Sequence, residues 1–139
     1  MSISRTVIVN RTRMPTPTAW ADAIRAAGFP MEMTTDFDIA EHSGFLPCTY
    51  DGVPAGFELF FTTDEELLEH DDIGDRDAAI SFVTHSSMRD LACAIVAAGV
   101  LAAKCDGIVF DEESGERIDA DEALAYAREM IDSLSEDLD

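Results

Sequence analysis

Apolar residues recur along this chain at two different spacings, and the switches between them mark out its elements. Thr6 to Val9 is β-branched and apolar and reads as a short strand, flanked by Arg5, Arg11 and Arg13. Trp20, Ala23, Ile24 and Ala27 then fall on one face at helical spacing. Thr16-Pro17 in front of them has the form of a helix start, a threonine cap with proline at the first helical position, and Gly28 supplies the stop. Phe29 to Thr34 alternates and is expected to form a strand, and the polar segment 35–44 a loop. Phe45 to Tyr50 and Gly56 to Thr62 are both strand-like. Asp51-Gly52-Val53-Pro54 between them signals a hairpin whose turn Pro54 is expected to lengthen.

Residues 64–77 hold eight acids around Leu67, Leu68 and Ile73, which fits a short helix at 64–70 followed by a solvated loop. Ala78 to Thr84 is apolar enough for a central strand. Ser87 with Asp90 three residues later is an aspartate variant of the capping box. The helix behind it is apolar almost all round from Leu91 to Ala103, the pattern of a helix lying buried across a sheet. Gly107 to Phe110 is a further short strand, and Glu113-Ser114-Gly115-Glu116 turns the chain. A last helix starts near 119–121 with one stripe of Leu124, Ala127, Met130, Ile131 and Leu134.

The order β-α-β-β-β-β-α-β-α predicts an α+β fold: an antiparallel or mixed sheet of about five or six strands, with helices packed mainly on one face. The 139 residues, 47% of them hydrophobic, suit one domain spanning 1–139, with an acidic tail near 135–139 expected to fray.

Charge changes the picture most. Nine Lys and Arg face 29 Asp and Glu, for a net charge of −20. Residues 1–63 carry four basic and seven acidic side chains, whereas residues 64–139 carry five and 22. Such a field attracts basic protein partners and repels nucleic acid and anionic membrane surfaces. The expected partner-binding residues are therefore Asp64, Glu65, Glu66, Glu69, Asp71, Asp72, Asp75 and Asp77 in one stretch and Asp111, Glu112 and Glu113 in another, with Leu67, Leu68, Ile73 or Phe110 as apolar contacts. The competing reading is an acidity that serves solubility alone.

Other chemistry is thinly signalled. Cys48, Cys93 and Cys105 are odd in number and show no ligand spacing, which favours a reducing compartment without disulfides. The start of the chain has no apolar stretch long enough for a signal peptide core. The longest apolar or glycine run, Leu91 to Ala103, is too short for a membrane helix, and the expected address is cytoplasmic. His42, His70 and His85 form no metal-binding spacing, so no metal or cofactor is expected, and a metal site would need tertiary assembly. Cys48 with His42 could form a thiol–imidazole pair, but reactive thiols need an electropositive setting that this chain barely offers. No catalytic residues are assigned.

The small size, acidity and α+β order resemble the immunity proteins that bacteria pair with secreted toxins. The segments His42-Ser43-Gly44-Phe45-Leu46-Pro47 and Gly56-Phe57-Glu58, between a Trp20 helix and an alanine-rich helix, are similar to small bacterial proteins found in such neighbourhoods. The resemblance implies a cytosolic inhibitor of a toxin and carries over no site residues. The expected function is a non-enzymatic acidic binding protein, in particular an immunity-type inhibitor of a basic toxin or enzyme. A small metal-dependent or hydrolytic enzyme using histidines and carboxylates is the alternative, with the solubilised stand-alone domain as a third.

Overall fold

A computed structural model describes residues 2–64, 73–112 and 114–134. The elements run β1 (Ile3–Val9), α1 (Pro17–Ala26), β2 (Met31–Met33), β3 (Ser43–Tyr50), β4 (Val53–Thr62), β5 (Ala78–Thr84), α2 (Met88–Cys105), β6 (Ile108–Asp111), β7 (Glu116–Ile118) and α3 (Ala123–Leu134). The strands form one sheet in the order β2-β3-β4-β5-β1-β6-β7, antiparallel at every pairing. The α+β class is as expected, with one more strand than the sequence pattern shows. The addition is β7, three residues long, within a segment too short and polar to display an alternation.

Two local details differ from expectation. Asp51 and Gly52 both adopt positive φ, 52° and 75°, the conformation of a two-residue hairpin turn. Val53 and Pro54 therefore belong to β4, paired with Tyr50 and Thr49, and Pro54 does not lengthen the turn. The second strand is confined to Met31–Met33, half the length that the alternation suggests. Apart from Asp64, the short helix expected at 64–70 lies outside the described residues, as does the tail at 135–139.

Both N-cap hydroxyls bond as read, but the Asp90 carboxylate is engaged by Gly56 and not by the Ser87 N–H that a capping box would use. Thr16 Oγ1 accepts from Ala19 N at 3.1 Å, and Ser87 Oγ accepts from Asp90 N at 3.2 Å. The Asp90 carboxylate reaches across to accept from the backbone N–H of Gly56 at 3.1 Å, tying the start of α2 to β4.

Helix α2 is the centre of the molecule, with every residue from Leu91 to Ala102 buried. Its small residues let neighbours approach closely. A Cβ at Gly99 would stand 2.9 Å from the Cβ of Ala127 and 3.0 Å from the carbonyl oxygen of Ala123, so glycine sets the spacing between α2 and α3. On the other flank, Trp20 of α1 donates its indole N–H to the Ala97 carbonyl at 3.0 Å and meets Phe82 edge-on at 5.9 Å. The core joins these helices to Val7, Val9, Leu46, Phe57, Leu59, Ile80, Phe82 and Val109, alternate residues of their strands. All three helices thus cover one face of the sheet.

Candidate functional site

Strand residues alternate in direction, so the positions between those core residues face away from the helix layer. The strand registers arrange them in rows. One row reads Ser43, Phe60, Ser81, Thr6, Phe110 and Arg117 across six strands. A second reads Phe45, Glu58, Val83 and Ser4. A third reads Thr62, Ala79, Ile8 and Ile108, of which Ala79, Ile8 and Ile108 are buried, so this end of the face is covered. No helix among the described residues packs on this face.

Its chemistry is mixed apolar and hydroxyl. Phe45 is 57% exposed and Phe60 38%, the two largest apolar side chains standing in solvent among the described residues. Between Phe60 and Phe110 lies a cavity of about 390 Å³, lined by Thr6, Thr62, Ala79, Ser81 and Phe110, with the β6–β7 turn (Asp111, Glu112 and Gly115) at its edge. The hydroxyls of Thr6 and Ser81 stand 3.3 Å apart across β1 and β5. No basic residue lines it among the described residues. Arg117, next to Phe110 in register, is bonded through Nε to Asp119 at 3.2 Å.

The acids expected to bind a partner divide into several environments. Asp64 is exposed two residues beyond Thr62, and Glu112 is exposed at the cavity edge. Asp75 and Asp77 are engaged within the molecule. Arg11 donates to Asp77 from its backbone N–H at 3.0 Å and from Nε at 3.1 Å, and Arg13 pairs with Asp75 at 3.5 Å. The Arg11 backbone and guanidinium hold the Asp77 carboxyl below its usual range. Arg76 adds two bonds to the Asp106 carbonyl, at 3.0 and 2.8 Å, where α2 ends on a left-handed residue. Glu65, Glu66, Glu69, Asp71, Asp72 and Glu113, with Leu67, Leu68 and His70, lie outside the described residues.

Asp111 is buried, with its carboxylate turned to the helix side. There it accepts from the Tyr126 hydroxyl at 3.2 Å, and Tyr126 in turn accepts from Arg5 Nη1 at 2.6 Å. Arg5 and Asp111 are also partners in the β1–β6 register. This buried network fastens α3 to the sheet, so Asp111 acts as structural support beneath the cavity edge.

His42 and Cys48 do not meet as a thiol–imidazole pair. The His42 ring packs edge-on against Phe37 at 5.5 Å and hydrogen-bonds the Gly44 carbonyl at 3.1 Å. Cys48 is buried; its hydrogen bond with Cys93, together with burial, pushes its thiol well above the ordinary range. His85 stands exposed on the open face, 3.3 Å from Glu58. Among the described residues, no group of three or more His, Cys, Asp and Glu is placed to hold a metal ion, and no helix is long and apolar enough to cross a membrane.

Phe110 was legible in the sequence as an apolar contact among acids. Thr6, Ser81 and Phe60 were not singled out. The available signal was a hydroxyl residue inside each of two apolar central strands, which marks the face opposite the helices. Comparison with protein-family models, with curated proteins and with solved structures gives no match.

Proposed function

We propose that this chain is a non-enzymatic binding protein that docks a basic protein surface on the open face of its sheet, acting as an immunity-type inhibitor of a toxin or enzyme. The observation that carries this reading is the row from Phe60 through Ser81 and Thr6 to Phe110 with its cavity, which no helix among the described residues covers, while all three helices pack on the opposite face. Exposed aromatic side chains on a rigid strand pair are the usual anchors of an interface. The acids Glu58, Asp64 and Glu112 on or beside this face give it the sign that steers a basic partner. The same charge selects against self-association, because a net −20 on each copy repels a second.

The test compares the immobilised chain with its Phe45→Ser/Phe60→Ser variant against proteins of the source cell. The expected result is a basic protein retained one-to-one by the parent and lost by the variant, whose harmful activity the parent suppresses on co-expression. Equal retention by both, or retention without any suppression, contradicts the reading.

A further inference from the structure

We infer that the cavity between Phe60 and Phe110 receives one arginine side chain of the partner, an inference that rests on the reading that a basic protein docks on this face. The volume of about 390 Å³ falls in the range of about 300–1,000 Å³ typical of ligand pockets and accommodates a long side chain rather than a surface dimple. Its walls divide by chemistry. Phe110 presents apolar surface suited to a methylene stem above the buried Ala79, and Thr6, Thr62 and Ser81 present hydroxyl oxygens that accept hydrogen bonds. Glu112 supplies an anion at the edge, and the described lining residues include no cation.

A guanidinium fits this distribution better than an ammonium. Its planar head directs five N–H donors outward in a fixed fork, matching acceptors spread over three strands and a turn, whereas an ammonium concentrates three donors at one point. An anionic side chain would oppose Glu112 with like charge, and a purely apolar one would leave unused the acceptor lone pairs that remain after Thr6 and Ser81 bond each other and Thr62 accepts from the Asp64 N–H. The neighbouring carboxylate of Asp111 is directed to Tyr126 on the other side of the sheet, so Glu112 is the anion that meets the arginine.

N-acetyl-arginine amide titrated into the isotopically labelled full chain tests the inference by NMR. Saturable shifts are expected at the amides of Thr6, Thr62, Ser81, Phe110 and Glu112. N-acetyl-citrulline amide, of the same shape without charge, and N-acetyl-lysine amide should both bind more weakly. Ser81→Leu, which fills the cavity from a half-buried position, should abolish the shifts. Glu112→Gln should weaken binding about two- to fivefold, as expected for an exposed ion pair. Thr6→Val, which keeps the shape of the side chain, guards against misfolding of the leucine variant and should also weaken binding. Arginine shifts spread over acidic residues elsewhere with these amides unmoved would overturn the inference, as would equal binding of citrulline. Either result, combined with continued loss of partner by the Phe45→Ser/Phe60→Ser variant, would remove the arginine pocket while leaving the docking face in place.

Discussion

Gly56 lies directly beneath the ring of Phe45. A Cβ built on Gly56 would stand 2.5 Å from the ring Cζ and collide with the carbonyl oxygen of Leu46, at a backbone φ of 155°. The absence of a side chain on β4 therefore lets the exposed Phe45 lie across its neighbour strand. Gly56→Ala is expected to destabilise the fold by about 1–3 kcal/mol, since the backbone carbonyl cannot yield as a flexible side chain could. Thermal unfolding checks this, and an unchanged Tm would contradict the packing described here.

Burial of α2 on all sides makes its apolar residues intolerant of charge. Ile95 and Leu101 are fully buried. Aspartate at either position places an unpaired carboxylate where an apolar side chain packs, at an expected cost of more than about 4 kcal/mol. Denaturant unfolding of Ile95→Asp and Leu101→Asp measures it. A midpoint equal to the parent's would show that α2 is not the core helix.

The Arg5–Tyr126–Asp111 network makes a prediction about pH. Burial raises the Tyr126 hydroxyl from 10.0 to about 12, with the nearby Arg5 charge opposing the shift and Asp111 adding to it. Burial likewise raises Tyr50. For a group raised on folding, the stability it contributes is complete below the unfolded value and is lost as pH rises through the folded one. The contribution of Tyr126 should thus be intact below pH 10 and disappear toward pH 12. Tyrosinate absorbance should stay low past pH 10 in the native chain and rise near 10 in denaturant. Half-ionisation of both tyrosines near 10 in the native state would contradict this. Tyr126→Phe should cost about 1–3 kcal/mol by leaving Arg5 and Asp111 each short of a buried partner.

Three buried thiols predict a silent response to thiol reagents. Cys48, Cys93 and Cys105 are all buried. Burial pushes the Cys105 thiol to about 11, and Cys105 Sγ donates to the Leu101 carbonyl at 3.0 Å. A thiol-reactive dye should label none of them in the native chain and all three after unfolding. Rapid labelling of any one without denaturant would contradict the burial.

Periodicity carried most of the fold. Trp20 and Ile24, and the unbroken apolar run of α2, announced helices because their spacing or length had one structural solution. The Asp51-Gly52 turn was visible but its length was not, since Pro54 suggests a longer turn only when read apart from its strand partner Thr49. The site was less legible for a physical reason. Charge is a property of composition, whereas the row Phe60–Ser81–Thr6–Phe110 exists only once four strands distant in sequence are in register. Asp75 and Asp77 looked available because their partners, Arg13 and Arg11, lie more than sixty residues away. Asp111 looked exposed because its partner Tyr126 belongs to a helix that packs on the other face.

Association kinetics with the basic protein retained by the chain test the docking account most directly. The measurement is a salt series of on- and off-rates for the parent, for Asp64→Asn/Glu112→Gln and for Phe60→Ser. At physiological ionic strength screening limits electrostatic reach to about 8 Å. The parent on-rate should therefore fall steeply as salt rises, and the charge variant should associate more slowly with a shallower salt slope. Phe60→Ser should leave the salt slope unchanged and speed dissociation about tenfold, as loss of an aromatic anchor does. An on-rate indifferent to salt, with both variants dissociating at the parent's rate, would contradict the account.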